Sequence, residues 1–235
     1  MTAAERIVEP RTLTTYTLAL NFLPVTQLIA GAALVVTQAT SVVGAIMCAL
    51  TWLYLVPPLV CRLAILLFGS PSGRALTHRD RAYKIWWFTW QWQVVFNRLP
   101  WLEEILRLVP GLYALWIALW GGRASALAYW GPGARITDRP LVIVEAGAVI
   151  GMDAGLAGHA GTLAPDGTYR VDVMAPRVGA GAIMGVRSGL GPGAALAAGV
   201  LLPAGRMIKP FTRWDGTTRR SLMTEEHDGG CRDHH

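Results

Sequence analysis

An aliphatic side chain returns at every sixth position through the C-terminal half of this chain. Val144, Ile150 and Leu156 set the beat, and after a break it resumes at Val178, Met184, Leu190, Leu196 and Leu202. A period of six fits neither an amphipathic helix, with roughly 3.6 residues per turn, nor an alternating strand. It fits a triangular solenoid in which each hexapeptide makes one short side and one corner. The next residue is usually small. Gly151, Gly179, Gly185 and Gly191 stand there, where the backbone turns tightly. A low-complexity Gly/Ala tract would not hold one aliphatic register from Val178 to Leu202. Nor is this a dinucleotide fingerprint: Gly179-Ala-Gly181 lacks the third glycine at the required spacing, and no strand and long helix frame it.

The N-terminal half obeys different rules. Residues 16–36 and 42–61 are two predominantly apolar spans of the length, about 20 residues, that crosses a bilayer as helix, and they read as a transmembrane hairpin. Asn21 and Gln27 can face the partner helix, and Pro24, Pro57 and Pro58 are tolerated as kinks. The connection at residues 37–41 is uncharged. Arg6 and Arg11 precede the pair and Arg62, Arg74, Arg79, Arg81 and Lys84 follow it, so the positive-inside rule puts both ends in the cytoplasm, in an inner, multi-pass membrane location. Acidic residues near the N-terminus and the second span close behind argue against a cleaved signal peptide. A buried soluble helix is the alternative for the second span, which Arg62 and the proline pair shorten.

Between these halves lies a tryptophan-rich stretch with Trp86, Trp87, Trp90, Trp92, Trp101, Trp116 and Trp120. Indoles concentrate at the headgroup level of bilayers, so interfacial helices are expected here; packing onto the hairpin or the solenoid end is an equal and compatible reading. The chain is 53% hydrophobic with a net formal charge of +6, an excess better matched to an anionic membrane face than to nucleic acid, for which no basic stripe alternates with aromatics. Cys48, Cys61 and Cys231 form no CxxC and indicate neither disulfides nor a metal site.

Within the repeat half one histidine stands out. His159 occupies the fourth position of its hexad, at a corner, directed away from the core, and the beat stops just after it. Residues 162–174, with Pro165-Asp166-Gly167 as a turn, form an insertion that leaves the solenoid beside that corner. A histidine on a cleft wall suits a general base; a surface histidine at a turn is the bland alternative. Spacing alone pairs no carboxylate with it. Asp153 falls one hexad earlier, on another side of the triangle, and Asp166 and Asp172 lie in the insertion. Metal chemistry is not expected, since His227, His234 and His235 sit in a polar tail that reads as disordered.

The runs Gly133-Ala-Arg-Ile136, Val144 to Gly151, Gly158-His159, Ala175 to Gly181 and Trp214-Asp-Gly-Thr217 resemble the hexapeptide-repeat acyltransferases, especially their membrane-associated branch. That resemblance implies a left-handed parallel β-helix, a homotrimer, and acyl-coenzyme A bound in a groove between subunits. It puts His159 in the place of the base that deprotonates the acceptor. On that reading Gly185 and Gly191 would admit the pantetheine arm, and Arg187, Arg206, Lys209 or Arg213 would meet phosphates. The closing Asp215-Gly-Thr-Thr218 departs from the family's usual Gly-x-Pro-Ala.

The expected architecture is therefore a membrane α-helical hairpin plus an all-β left-handed parallel β-helix. It divides into a hairpin unit at 1–68, a basic loop and tryptophan-rich interfacial helices at 69–126, a solenoid at 127–220 and a polar tail at 221–235. The expected activity is acyl transfer, most simply acetyl, from coenzyme A to a hydroxyl or amine of a membrane lipid or lipid-linked acceptor. A different class remains open: a non-catalytic trimeric membrane scaffold for a peptide-synthetase or glycan-assembly complex.

Overall fold

The computed structural model describes residues 14–217 and 219–221; Arg6, Arg11, Cys231 and the three tail histidines lie outside the described residues. Helices α1 (Thr15–Leu20) and α2 (Leu23–Gln38) run on as one apolar element, and α3 (Val42–Tyr54) and α4 (Val56–Phe68) as another. Both are long and apolar enough to cross a membrane. They pack closely where Gly31 faces Trp52: a Cβ on Gly31 would lie 2.4 Å from the indole, whose N–H donates to the Gln27 carbonyl at 2.9 Å. The second element runs past Arg62 to Phe68, beyond the end read from sequence. The Arg62 guanidinium donates to the Ala118 carbonyl, in the last turn of a neighbouring helix, so the charge is satisfied without ending its own helix.

Next come β1 (Gly73–Leu76), the long aromatic helix α5 (Arg81–Arg98), α6 (Trp101–Arg107) and α7 (Leu112–Trp120). Trp86, Trp87, Trp116 and Trp120 are buried, and Trp101 is exposed. The aromatic face of this segment is therefore turned inward onto protein. Phe96, Trp116, Ile117 and Trp120 form one continuous core with the solenoid interior and close the end of the solenoid nearest the helices.

The solenoid begins at β2 (Arg123–Ala124), one coil earlier than the beat that starts at Val144. Its first side continues with β5 (Ile143–Val144), β10 (Arg177–Val178), β13 (Ala195–Leu196) and β16 (Thr212–Trp214). The second side stacks β3 (Tyr129–Trp130), β6 (Val149–Ile150), β11 (Ile183–Met184) and β14 (Leu201–Leu202). The third stacks β4 (Arg135–Ile136), β7 (Gly155–Leu156), β12 (Gly189–Leu190) and β15 (Met207–Ile208). All these pairings are parallel and in register, so Ile136, Leu156, Leu190 and Ile208 form one interior ladder. Each fully buried aliphatic of this kind contributes about 1.5–3 kcal/mol of transfer free energy. Trp214 is the last inward residue; its indole donates to the Leu201 carbonyl and lies under the Arg206 guanidinium.

The beat has structural reasons at three positions. The aliphatic points in. The glycine after it lies against the next coil: a Cβ on Gly179 would sit 2.6 Å from the Ala198 nitrogen. The left-handed turn falls two residues later still, at Gly147, Gly181, Gly193, Gly199 and Gly205, and also at Asp153 and Arg187. The corner conformation thus sits at the fourth hexad position, and the glycines at the second exist for coil stacking.

The beat breaks twice, both times after the third side. Following β4, a single 3-10 turn (Arg139–Leu141) interrupts it; following β7, the hairpin β8 (His159–Leu163) and β9 (Tyr169–Val173) leaves the solenoid. The hairpin turns at Asp166-Gly167 as the sequence indicates, but starts at His159 and pairs antiparallel with β1, which ties it to the base of the helical unit.

Candidate active site

The two interruptions stack. Because Ile136 pairs with Leu156, Asp138 lies over Gly158, where a Cβ would come within 2.7 Å of the Asp138 Cβ. Only glycine at 158 lets the carboxylate reach the next residue, His159. Asp138 Oδ2 is 2.7 Å from His159 Nδ1. The same oxygen accepts from the Thr137 hydroxyl at 2.6 Å, and Oδ1 accepts from the Trp86 indole at 3.0 Å. Thr137 Oγ1 in turn accepts from the Gly158 backbone N–H.

Asp138 is 1% exposed. Burial pushes its carboxyl pKa upward, but facing His159 and the hydrogen bonds from His159, Thr137 and Trp86 outweigh this, and the pKa lies below its ordinary value. An ionised acceptor at Nδ1 holds the ring proton there and leaves the Nε2 lone pair free. His159 is not an open corner residue. Its ring lies against Trp86 and Trp90, with centroids 4.9 and 4.5 Å apart, and its side chain is 21% exposed.

The next residue anchors Asp138. Arg139 is 1% exposed and donates through Nε to Glu103 at 3.0 Å and through a terminal nitrogen to Asn97 at 3.0 Å; its backbone N–H donates to Gln93 at 2.7 Å. Glu103 is also bonded by Tyr113 and Arg107. Burial, followed by Glu103, raises the Tyr113 pKa, so the phenol stays protonated and donates. This buried network fastens α5 and α6 to the first coil and fixes the carboxylate in register. A buried ion pair broken on one side costs about 3–5 kcal/mol, so the anchor is stiff.

His159 borders a cleft of about 700 Å³. One wall is α5, with Tyr83, Trp86, Trp90 and Gln91; another is the hairpin, with Gly161 and Tyr169; the third is the α1–α2 junction, with Asn21 and Pro24. Gln91 donates to Asn21 at 3.2 Å, so a polar pair from the apolar hairpin and the aromatic helix lies in the same cleft as the imidazole.

Four parallel coils in strict register, with a hairpin leaving at one corner, decide the fold. The chain folds as a parallel β-helix whose sides repeat every six residues. No protein-family model matches it, and no curated protein does. Among solved structures it is similar to serine acetyltransferase of Neisseria gonorrhoeae, at 15% identity over 96% of this chain and 87% of that one, with a TM-score of 0.22. A serine acetyltransferase in complex with CoA gives 16% identity over 88% and 85%, with a TM-score of 0.24. Serine acetyltransferase isoform 3 of Entamoeba histolytica gives 11% over 97% and 93%, with a TM-score of 0.20.

In this β-helix the residues expected to meet the acyl donor are divided. Lys209 and Gly191 lie at the corner shared with His159, on later coils, whereas Gly185, Arg187 and Arg206 lie at the corner between the second and third sides. The coil stacking already fills the space beside both glycines: Ala204 backbone atoms stand 2.5 Å from a Cβ on Gly185, and Pro210 3.0 Å from one on Gly191. Arg187 is 3.6 Å from Asp153, and Arg206 covers Trp214. A groove of about 470 Å³ runs instead along the first side. Arg177 and Arg213 flank a floor of Gly179 and Ala194 to Ala198, next to Met174 at the foot of the hairpin. Arg177 is paired there with Glu145.

The residue that sequence reading missed is Asp138. Its signal was the spacing from Ile136 to Leu156, two residues longer than a coil of three hexads. Ile136 already falls in the expected solenoid, but its register with Leu156 is what sets Asp138 over Gly158. The indoles that cover His159 carry no such signal, since helix α5 reaches the site only through tertiary packing.

Proposed function

We propose that this protein transfers an acyl group, most simply acetyl, from acyl-coenzyme A to a hydroxyl or amine of a membrane-associated acceptor, with His159 as general base. The observation that carries this reading is the Asp138–His159 pair, with Nε2 free at a cleft built jointly by the solenoid and the apolar hairpin. Nε2 takes the acceptor's proton as its oxygen or nitrogen attacks the thioester carbonyl carbon. The carbon–sulfur bond then breaks, and the proton passes to the departing thiolate. Asp138 is the positioning residue: it fixes the tautomer and offsets the charge of the imidazolium that forms. No group of metal-ligating side chains occurs among the described residues, and the reaction requires none.

The groove along the first side suits the donor. Its small floor residues accept a narrow arm, and Arg177 and Arg213 offer cations for phosphates. Membrane residence is supported by the belt of exposed apolar side chains on α2 to α4, including Ile29, Val36, Val43 and Leu66, each more than three-fifths exposed. The arginine-rich segments flanking the spans favour a cytoplasmic solenoid in the inner membrane. Homotrimer formation is supported by the second side, whose outward ladder of Tyr129, Val149, Ile183 and Leu201 is apolar, whereas the first side presents Arg123, Arg177 and Arg213.

The test is transfer of labelled acetyl from acetyl-coenzyme A into a membrane extract by the purified full chain. Wild type incorporates label, and His159→Ala loses on the order of a hundred- to ten-thousand-fold while still binding acetyl-coenzyme A, seen as a raised melting temperature. Equal incorporation by the variant refutes the assignment of the base.

A further inference from the structure

The face of α5 that turns away from the catalytic cleft borders a second cavity. It is a groove of about 470 Å³ between the end of α4 and the start of α5. Leu63, Leu67 and Phe68 form one wall, Ile85 and Phe88 the other, and Tyr16 closes one end. The Tyr16 hydroxyl donates to the Lys84 carbonyl at 2.9 Å, which holds α1 against α5 there. Side chains on this surface are open to the surroundings: Leu63 is 55% exposed, Leu67 64% and Phe68 55%. They continue the exposed apolar belt of the hairpin up to the point where the second apolar helix ends.

Two cations stand at that end. Arg81 and Lys84 line the groove three residues apart, one turn along α5, and both are exposed. No acidic side chain lines it. The nearest carboxylate in sequence, Asp80, does not line the groove: it accepts from the Thr77 backbone N–H at 2.7 Å and hydroxyl at 2.9 Å, and its charge offsets Lys84 only from outside the slot. An apolar slot that opens on a lipid-facing belt and ends at a pair of cations matches a molecule with a hydrocarbon chain and an anionic head. A partner helix would cover the belt without needing the two charges.

We propose that this groove is a binding site for an anionic phospholipid, with one acyl chain against Leu63, Leu67, Phe68 and Phe88 and the phosphate between Arg81 and Lys84. The site is separate from the catalytic cleft and rests only on the membrane reading of α1 to α4.

The experiment uses the full chain, delipidated in a non-ionic detergent, with native mass spectrometry after adding phosphatidylglycerol or phosphatidylcholine of identical chains. Wild type retains phosphatidylglycerol preferentially. Near a membrane each Lys or Arg is worth about 1 kcal/mol toward an anionic lipid, roughly five-fold in affinity. Arg81→Gln with Lys84→Gln should therefore weaken phosphatidylglycerol on the order of twenty-five-fold and leave phosphatidylcholine unchanged. Leu63→Trp, a change at an exposed position that fills the groove, should weaken both lipids. Equal retention of the two lipids by wild type, indifference to the double substitution, or a dimer that excludes lipid from this face overturns the proposal. Flotation of wild type and variants with vesicles tests the membrane reading independently: if all float while the lipid preference is absent, only the site is wrong.

Discussion

Replacing Asp138 by Asn separates the catalytic role of the pair from its packing role. The carboxylate accepts from three donors: His159 at 2.7 Å, Thr137 at 2.6 Å and Trp86 at 3.0 Å. An amide of nearly the same shape satisfies only some of them. With its oxygen toward His159 and Thr137, its NH₂ meets the Trp86 N–H, donor against donor, a cost of about 1–3 kcal/mol for the unsatisfied buried group. With the amide turned, NH₂ faces Nδ1 and moves the ring proton to Nε2, which removes the lone pair that serves as base. Either arrangement loses the negative charge that offsets the imidazolium. Loss of base function is typically about a hundred- to ten-thousand-fold, equivalent to about 3–5 kcal/mol of activation free energy. The assay is the initial rate of acceptor-dependent thiol release from acetyl-coenzyme A, with melting temperature read in parallel, for Asp138→Asn, His159→Ala and the double variant. If Asp138 acts only through His159, the double variant is no slower than His159→Ala alone. Multiplicative losses, or a wild-type rate in Asp138→Asn, would refute the reasoning.

Asp138 also predicts an acid limit. Its folded-state pKa lies below the usual carboxylate value, so its contribution to stability is complete above about pH 4 and is lost as pH falls through the folded value. Melting temperatures taken between pH 6 and pH 3 should fall more steeply for wild type than for Asp138→Asn. Gly179→Ala forces a Cβ to within 2.6 Å of the Ala198 nitrogen and should destabilise the solenoid by about 1–3 kcal/mol with the catalytic pair intact; chemical unfolding at unchanged m-value measures it. Leu201→Glu puts a charge in the outward ladder of the second side, where Leu201 is 57% exposed, and should lower the mass in mild detergent from trimer to monomer without loss of fold. A wild-type chain that is already monomeric well above nanomolar concentration rules out that interface.

The hexad pattern alone specifies the solenoid and the corner at which it opens. A hexad carries its own constraints: an aliphatic that must point inward, a glycine pressed against the next coil, and a fourth residue that makes the turn. Each depends only on neighbours one coil away, so the pattern is written locally and read directly. The hairpin helices and the turn at Asp166-Gly167 were legible for the same reason. The first coil was placed only from residue 127, leaving out β2, and its register with the next coil was not legible, because Ala124 and Trp130 are poor aliphatic markers and the 3-10 turn at Arg139–Leu141 adds two residues between the two coils. The catalytic cleft, by contrast, arises from contacts between segments far apart in the chain. Asp138 reaches His159 across two stacked breaks, Trp86 and Trp90 arrive from a helix about seventy residues earlier in the chain, and the cleft closes only when the α1–α2 junction packs beside them. Such contacts join segments with no common period, and their energies come from burial and hydrogen bonding that exist only once those segments have met.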